Sequence, residues 1–434
     1  MSELIELSSR IIDRGVADEP MNRITFELSE IADGVSVVEA FSHIWSVDTG
    51  DGLVLVDASG SLSGTRCIDA IRAWREDRVH TIVYTHGHAD HVGGSPAIFA
   101  DAVQRGHAVP DVVAHEAVHD RFRRYRDTAG WNLAINSRQF GGTKLDPNFM
   151  GVGDWRYLPD DVAEPTITHD DGMELTIGDT HFELHHANGE TDDHTWLWDP
   201  ARKAVYVGDL FMWNFPNAGN PQKVQRFAGD WATALRDMMA KGPELMLPAH
   251  GLPVEGADRV ARVLGDAAGA LEYLVEETVT LMNQGATLDT IVNTVRLPDR
   301  YRELPYLAPT YDEPEFVVRN IYRLYGGWWD GDPSTLHPAP KAALGAEVAA
   351  LAGGATALAR RALELVESGD LAVAAHLVEM ATMAEPGNRE VHEIRTEVYG
   401  ARRSVATSLM ARGIYKSAVN MSIEALEAGG SAAQ

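Results

Sequence analysis

An apolar run, Thr81-Ile82-Val83-Tyr84-Thr85, leads directly into His86-Gly87-His88-Ala89-Asp90-His91-Val92-Gly93-Gly94. A short apolar run bounded by glycine and polar residues reads as a buried strand. The loop leaving it gathers three histidines and an aspartate between His86 and His91. Imidazole and carboxylate ligands on one tight loop suit a hard or borderline divalent ion, zinc first. The bland alternative is a solvated polar loop. One loop cannot close a metal site alone, so the chain must return distant segments to this one. Three qualify, each placing a ligand-type residue beside a glycine at the edge of a short apolar run. They are His185-His186-Ala187-Asn188-Gly189-Glu190-Thr191, Val205-Tyr206-Val207-Gly208-Asp209-Leu210 and Leu247-Pro248-Ala249-His250-Gly251. Singly each is weak, since a Gly-Asp after a strand is commonly only a turn. Their order and context are informative together.

The rest of the chain fits a two-part organisation. Residues 24–252 read as short strands punctuated by turns, several followed by helical stretches. Gly52–Asp57, Thr81–Thr85 and Asp111–His115 are buried-strand candidates. Glu174–Leu184 reads as a hairpin turning at Gly178-Asp179, and Thr195–Val207 as another turning near Asp199-Pro200; Glu244–Pro248 is one more short strand. After Gly256 the composition shifts to Ala, Leu, Glu, Val and Arg with helical periodicity over 257–297 and 341–430. Leu363–Tyr415 reads as helix pairs spaced like tetratricopeptide hairpins, with a plain helical bundle the simpler reading. The connecting stretch 298–340 carries Tyr325, Trp328 and Trp329, read as core or interface aromatics. The expected domains are therefore 1–256 and 257–434. With 37 Lys+Arg against 64 Asp+Glu, the formal charge of −27 repels nucleic-acid phosphates, so no nucleic-acid partner is expected. A single cysteine, Cys67, excludes an internal disulfide framework and a Cys-rich zinc site. No apolar run approaches the ~18 residues of a membrane span and no secretory leader is visible at the N-terminus, so a cytoplasmic protein is expected.

These motifs, in this order, resemble the metallo-β-lactamase superfamily over roughly residues 24–256. The resemblance implies an α/β fold, an αββα sandwich, with two zinc ions per chain held by loops at one edge. Carried over by position, one zinc would take His86, His88 and the residue after Gly189, and the other Asp90, His91 and His250, with Asp209 bridging. Asp90 and Asp209 would be the catalytic carboxylates. The position after Gly189 is usually histidine in the superfamily, and here it is Glu190. His194 is an alternative third ligand, and His185 a lesser one. Glutamate there, nineteen residues before the bridging carboxylate, looks like the alkylsulfatase branch, although that branch more often bridges with glutamate. Tyr311–Asn320 and Tyr325–Pro333 resemble the helical dimerisation domain of that branch, which implies a homodimer with an all-α second domain.

Two divalent ions can bridge a hydroxide, lower its pKa to near 7 and aim it at an electrophile. The expectation is therefore a dizinc hydrolase of alkyl sulfate esters, a small-molecule substrate. The alternative is the same machinery acting on a lactone, thioester or phosphodiester. A non-catalytic scaffold with a vestigial site, or a mononuclear iron oxygenase on this fold, is the reading from another class. The four charges of two zinc ions are matched by Asp90, Asp209, Glu190 and a hydroxide, so Glu190 weakens the pull on an anionic ester relative to histidine. Other groups would have to hold a sulfate. Candidates are Asn217, Lys223 and Arg226 in the loop after Asp209, and Asn136 with Arg138.

Overall fold

The computed structural model describes residues 2–145 and 156–431. Thirteen strands form two sheets among these residues. The first contains β1 (Leu28–Ala32), β2 (Val35–Val38), β3 (Ile44–Asp48), β4 (Leu53–Val56), β5 (Val79–Val83), β6 (Asp111–His115) and β7 (Ile167–His169), in that spatial order. The second contains β8 (Gly172–Ile177), β9 (Thr180–Ala187), β10 (His194–Asp199), β11 (Ala204–Gly208), β12 (Leu245–Pro248) and β13 (Val254–Glu255), ordered from β13 back to β8. The expected hairpins are present: β8 and β9 pair antiparallel around Gly178-Asp179, as do β10 and β11 across the turn after Asp199.

The apolar run Leu53-Val54-Leu55-Val56 is buried along its whole length because β4 is covered on both faces. At the sheet edge, β8 alternates exposed and partly buried positions. Trp45 and Val54 from the first sheet share a core with Leu184, Trp196 and Tyr206 from the second, and the Trp45 indole donates to Pro248 O at 2.9 Å. Helices Gly64–Trp74 and Ser95–Arg105 pack together by the first sheet; Ala228–Ala240 and Ala257–Asn283 pack together by the second. This is the expected αββα sandwich. Strands β4 to β7 run parallel, as do β11 and β12, so several carboxyl ends open at one edge. Loops at carboxyl ends are where such sheets place ligands.

The compact units do not divide at residue 256. One comprises Met1–Asn132 and Pro147–Gly327, the other Leu133–Asp146 and Trp328–Gln434. The reason is packing: helix Ala257–Asn283 buries Val260, Val263, Leu264, Ala267 and Leu271 in the same core as the second sheet. The second unit is helical, with its own core of Leu358, Ala362, Val378, Val391 and Val398. Of its helices Ala355–Glu367, Leu371–Ala384, Arg389–Val405 and Leu409–Ser431, the first three are separated by turns at Gly369-Asp370 and Pro386-Gly387. Tyr325 and Trp328 are 58% and 72% exposed within the chain, which removes a core role and leaves them available to an interface. Trp329 is 37% exposed. Among the described residues no single helix is long and apolar enough to cross a membrane.

Candidate metal centre

The chain turns sharply after β5, and Gly94 is where that turn needs glycine. A Cβ there would stand 2.1 Å from Ala58 O. Asp57, just beyond β4, ties the turn to the sheet. Its carboxylate accepts from Thr85 N at 2.7 Å, from Thr85 Oγ1 at 2.9 Å and from His91 Nδ1 at 2.8 Å. Gly87 N donates to Asp193 Oδ2 at 3.1 Å, and Arg121 pairs with both Asp193 and Asp192. The histidine loop is thus fixed by its own backbone amides before any ion is considered.

Two groups of ligand atoms result, each within a span that one ion could bridge: His86, His88 and Asp209, and Asp90, His91 and His250. In the first, His86 Nε2 lies 2.8 Å from His88 Nδ1 and 3.9 Å from Asp209 Oδ2. Glu190 joins it, with Oε1 3.9 Å from His88 Nδ1. In the second, His91 Nε2 is 3.6 Å from Asp90 Oδ2 and 3.4 Å from Asp209 Oδ1. His250 Nε2 is 3.6 Å from Asp90 Oδ2 and 3.3 Å from Asp209 Oδ1. Asp209 therefore faces both groups, one oxygen to each. The structure brings together all seven residues expected to ligate.

Chemistry fits an ion at both places. His91 Nε2, Glu190 Oε2 and Asp209 Oδ1 are buried without a well-formed hydrogen bond, a costly state unless something else satisfies them. Burial, reinforced by neighbouring imidazoles, holds His86 well below the ordinary histidine range, so it offers a lone pair. His88 is likewise held down, by burial and by Arg121 and Arg226. At His91 burial is outweighed by Asp209, Asp57 and Asp90, which push it well above that range. His250 is raised because Asp209 overcomes its burial. For Asp209 burial is overcome by His250 and His91, which keep the carboxylate ionised. The second group thus calls for positive charge, and a bound cation replaces protons there.

His194 takes a different place from the alternative considered for it. Its Nε2 accepts from the backbone N–H of Asp209 at 3.1 Å, which uses the lone pair a metal would need. It stacks on His86, ring centroids 5.0 Å apart, and lies against Gly208, where φ is +53° and a Cβ would come 2.6 Å from the imidazole. His194 aims Asp209. His185 stacks on Trp196 instead, with centroids 4.2 Å apart.

The residues proposed to hold substrate separate. Asn217 and Arg226 are buried and turned onto Glu190: Asn217 Nδ2 donates to Oε1 at 2.6 Å, and Arg226 Nη1 bonds the same oxygen and Asn217 O. Burial pushes the Glu190 carboxyl up to about 7 while Arg226 pulls against it. Lys223 faces Asp90 and Glu190, with Nζ 5.7 Å from the Tyr157 ring centroid. Its burial, with Arg226, brings the ammonium down to about 7. Arg138, with Asn136, completes the candidates. It is exposed on helix Ala129–Gln139, whose buried face is formed by neighbours such as Asn136 and Ser137, and it belongs to the other compact unit.

Sequence reading missed four contributors. Asp57 looked like the polar end of an apolar strand, which was its only signal. Arg121 and Asp193 are 72 residues apart and become visible only through tertiary contact. The Ala40–His43 segment carries no ligand pattern, yet Phe41 O accepts from His250 Nδ1 and Ser42 Oγ lies 3.1 Å from His91 Nδ1. His43 braces the far side, its Nε2 donating to Gly251 O at 2.8 Å.

Residues 38–250 match the metallo-beta-lactamase superfamily, and residues 287–424 match the alkyl sulfatase dimerisation family. The chain is 28% identical over 363 residues to a linear primary-alkylsulfatase of Pseudomonas sp. (strain ATCC 19151), covering 81% of this chain and 69% of that protein. It is 23% identical over 385 residues to an alkyl/aryl-sulfatase of Saccharomyces cerevisiae (strain ATCC 204508 / S288c), covering 85% of this chain and 59% of that protein. A solved stereoselective inverting sec-alkylsulfatase from Pseudomonas sp. superposes with a TM-score of 0.79 at 22% identity, over 91% of this chain and 65% of that one, which shows a shared fold. The chain thus spans roughly two thirds or less of these relatives' own lengths. With the two family matches lying in order along it, the chain belongs to the metallo-beta-lactamase superfamily, in its alkylsulfatase-like branch.

Proposed function

We propose that this protein is a dizinc hydrolase of alkyl sulfate esters that works as a homodimer. His86, His88 and Glu190 would hold one ion, Asp90, His91 and His250 the other, and Asp209 both. Bound there, zinc would supply Lewis acidity and a water ionising near neutral pH. Asp90, whose Oδ2 lies 3.6 Å from both His91 Nε2 and His250 Nε2, would also help to orient the attacking water. Lys223 meets the sulfate with opposite charge at the same face.

The observation that carries the sulfate reading is the bond between Arg226 and Glu190. Glutamate in place of histidine removes one positive charge from the site, and the guanidinium on Glu190 returns it. With Lys223 beside them, the site attracts an anion despite the chain's strongly acidic balance. The relatives' activity on alkyl sulfates supports the same substrate class. The match of residues 287–424 to a dimerisation family, with Trp328 exposed within it, supports the homodimer. Inorganic sulfate released from dodecyl sulfate by the zinc-loaded protein, against panels of lactones and phosphodiesters, tests the proposal. Turnover of a neutral lactone with no sulfate release would overturn it. Labelled water then shows whether the S–O or the C–O bond breaks.

A further inference from the structure

In the stretch from Val35 to Val47 every residue is buried except Phe41, which is 49% exposed. Isolated exposed apolar side chains are common on soluble proteins and by themselves mean little. Phe41 differs because its backbone has no freedom to tuck the ring away. Its carbonyl accepts from His250 Nδ1, and the next two residues are tied to His91 and Gly251. The ring stands edge-on to the His250 imidazole, centroids 5.3 Å apart. Nε2 of that same imidazole faces Asp90 and Asp209. Phe41 is thus an exposed apolar surface fixed against the ring of a residue expected to ligate, centroids 5.3 Å apart, and folding gains nothing from its exposure.

We infer that the Phe41 side chain contacts the apolar alcohol portion of the ester and sets a preference for longer alkyl chains. This rests on the sulfate-ester reading above. The charged head is met by Lys223 and by the ions; the chain then leaves across the Phe41 face, exchanging water for an aromatic ring. The backbone carbonyl that orients His250 is retained in any substitution, so ligation and chain-length preference are separable.

Two measurements on the zinc-loaded full chain test this. One is the ratio of kcat/KM for dodecyl sulfate to that for ethyl sulfate. The other is the Kd ratio for dodecanesulfonate and ethanesulfonate, whose C–S bond is not hydrolysed. Phe41→Ala should lower both ratios about tenfold, the scale of a lost apolar contact in a binding site. Phe41→Leu should keep most of the preference, and zinc content should stay at the wild-type value in both variants. If Phe41→Ala leaves the ratios unchanged, or slows both esters equally because the ring only shields His250, the inference is overturned while the sulfatase reading stands. If the wild-type protein releases no sulfate from either ester, both fall.

Discussion

The two ligand groups meet at Asp209 but are held by different chemistry. Around His86, His88 and Glu190 the supports include buried ions, Arg226 on Glu190 and Arg121 on Asp193, which in turn holds Gly87, together with the neutral Asn217 amide on Glu190 and the Thr85 hydroxyl 3.0 Å from His86 Nδ1. Around Asp90, His91 and His250 they are mostly uncharged: the Phe41 carbonyl, the Ser42 hydroxyl and the His43 brace, with Asp57 the one carboxylate. An acceptor on Nδ1 fixes each imidazole's tautomer and raises its basicity at Nε2. A guanidinium on Glu190 does the reverse, because one carboxylate oxygen is spent on the protein and less charge remains for an ion. The second group should therefore bind zinc more tightly, and the first should be the one that loads last and empties first.

Asp209 is the residue that the two groups share. Asp209→Ala removes the carboxylate that faces both groups, and turnover should fall by roughly a thousandfold or more. A loss of only a fewfold would make Asp209 a turn residue and the two groups independent. Arg226→Met comes next. It strands a buried carboxylate without its cation, which costs about 3–5 kcal/mol in the zinc-free protein. Zinc should recover much of that loss, since an ion at the first group replaces the missing charge. Denaturant midpoints with and without zinc check this, and equal losses in both would mean Arg226 supports the loop and not the ion.

A smaller effect sharpens the substrate side. Lys223 has a folded pKa of about 7, below the usual lysine range, because burial penalises its charge. It is charged below that pH and neutral above it. KM for alkyl sulfates should rise as pH climbs through about 7, with KM for neutral esters unaffected. Lys223→Arg, which stays charged, should flatten the profile. The sign for stability is the opposite: the folded state holds fewer protons here than the unfolded chain between about 7 and the ordinary lysine pKa, so the cost of burying the ammonium fades as pH rises. An unchanged KM profile in Lys223→Arg would take Lys223 out of sulfate binding.

Much of this was legible in the sequence, and the part that was not shares a cause. The histidine loop is contiguous, and Glu190, Asp209 and His250 each follow a strand closely, so local pattern finds them. The groups that aim them act across distance or through the backbone. Phe41 contributes a carbonyl that any residue could supply, and Arg121 reaches Asp193 only once two strands are in place. Asn217 and Arg226 were legible as polar groups near the site, but not as partners of Glu190, because which way they turn depends on the burial of that carboxylate. Arg138 fell on the exposed face of a helix that buries Leu133, Ile135 and Asn136, a phase no ligand motif could set. The sandwich followed from alternating and apolar strands; the unit boundary did not, because helix Ala257–Asn283 has the composition of the helical half and the packing of the sheet half.

Zinc stoichiometry of Glu190→Ala is the most direct test of two unequal groups sharing Asp209. The wild-type protein should hold two ions per chain and the variant one, retained by Asp90, His91 and His250, with the fold intact. Two ions retained at wild-type affinity would contradict that arrangement, and so would loss of both.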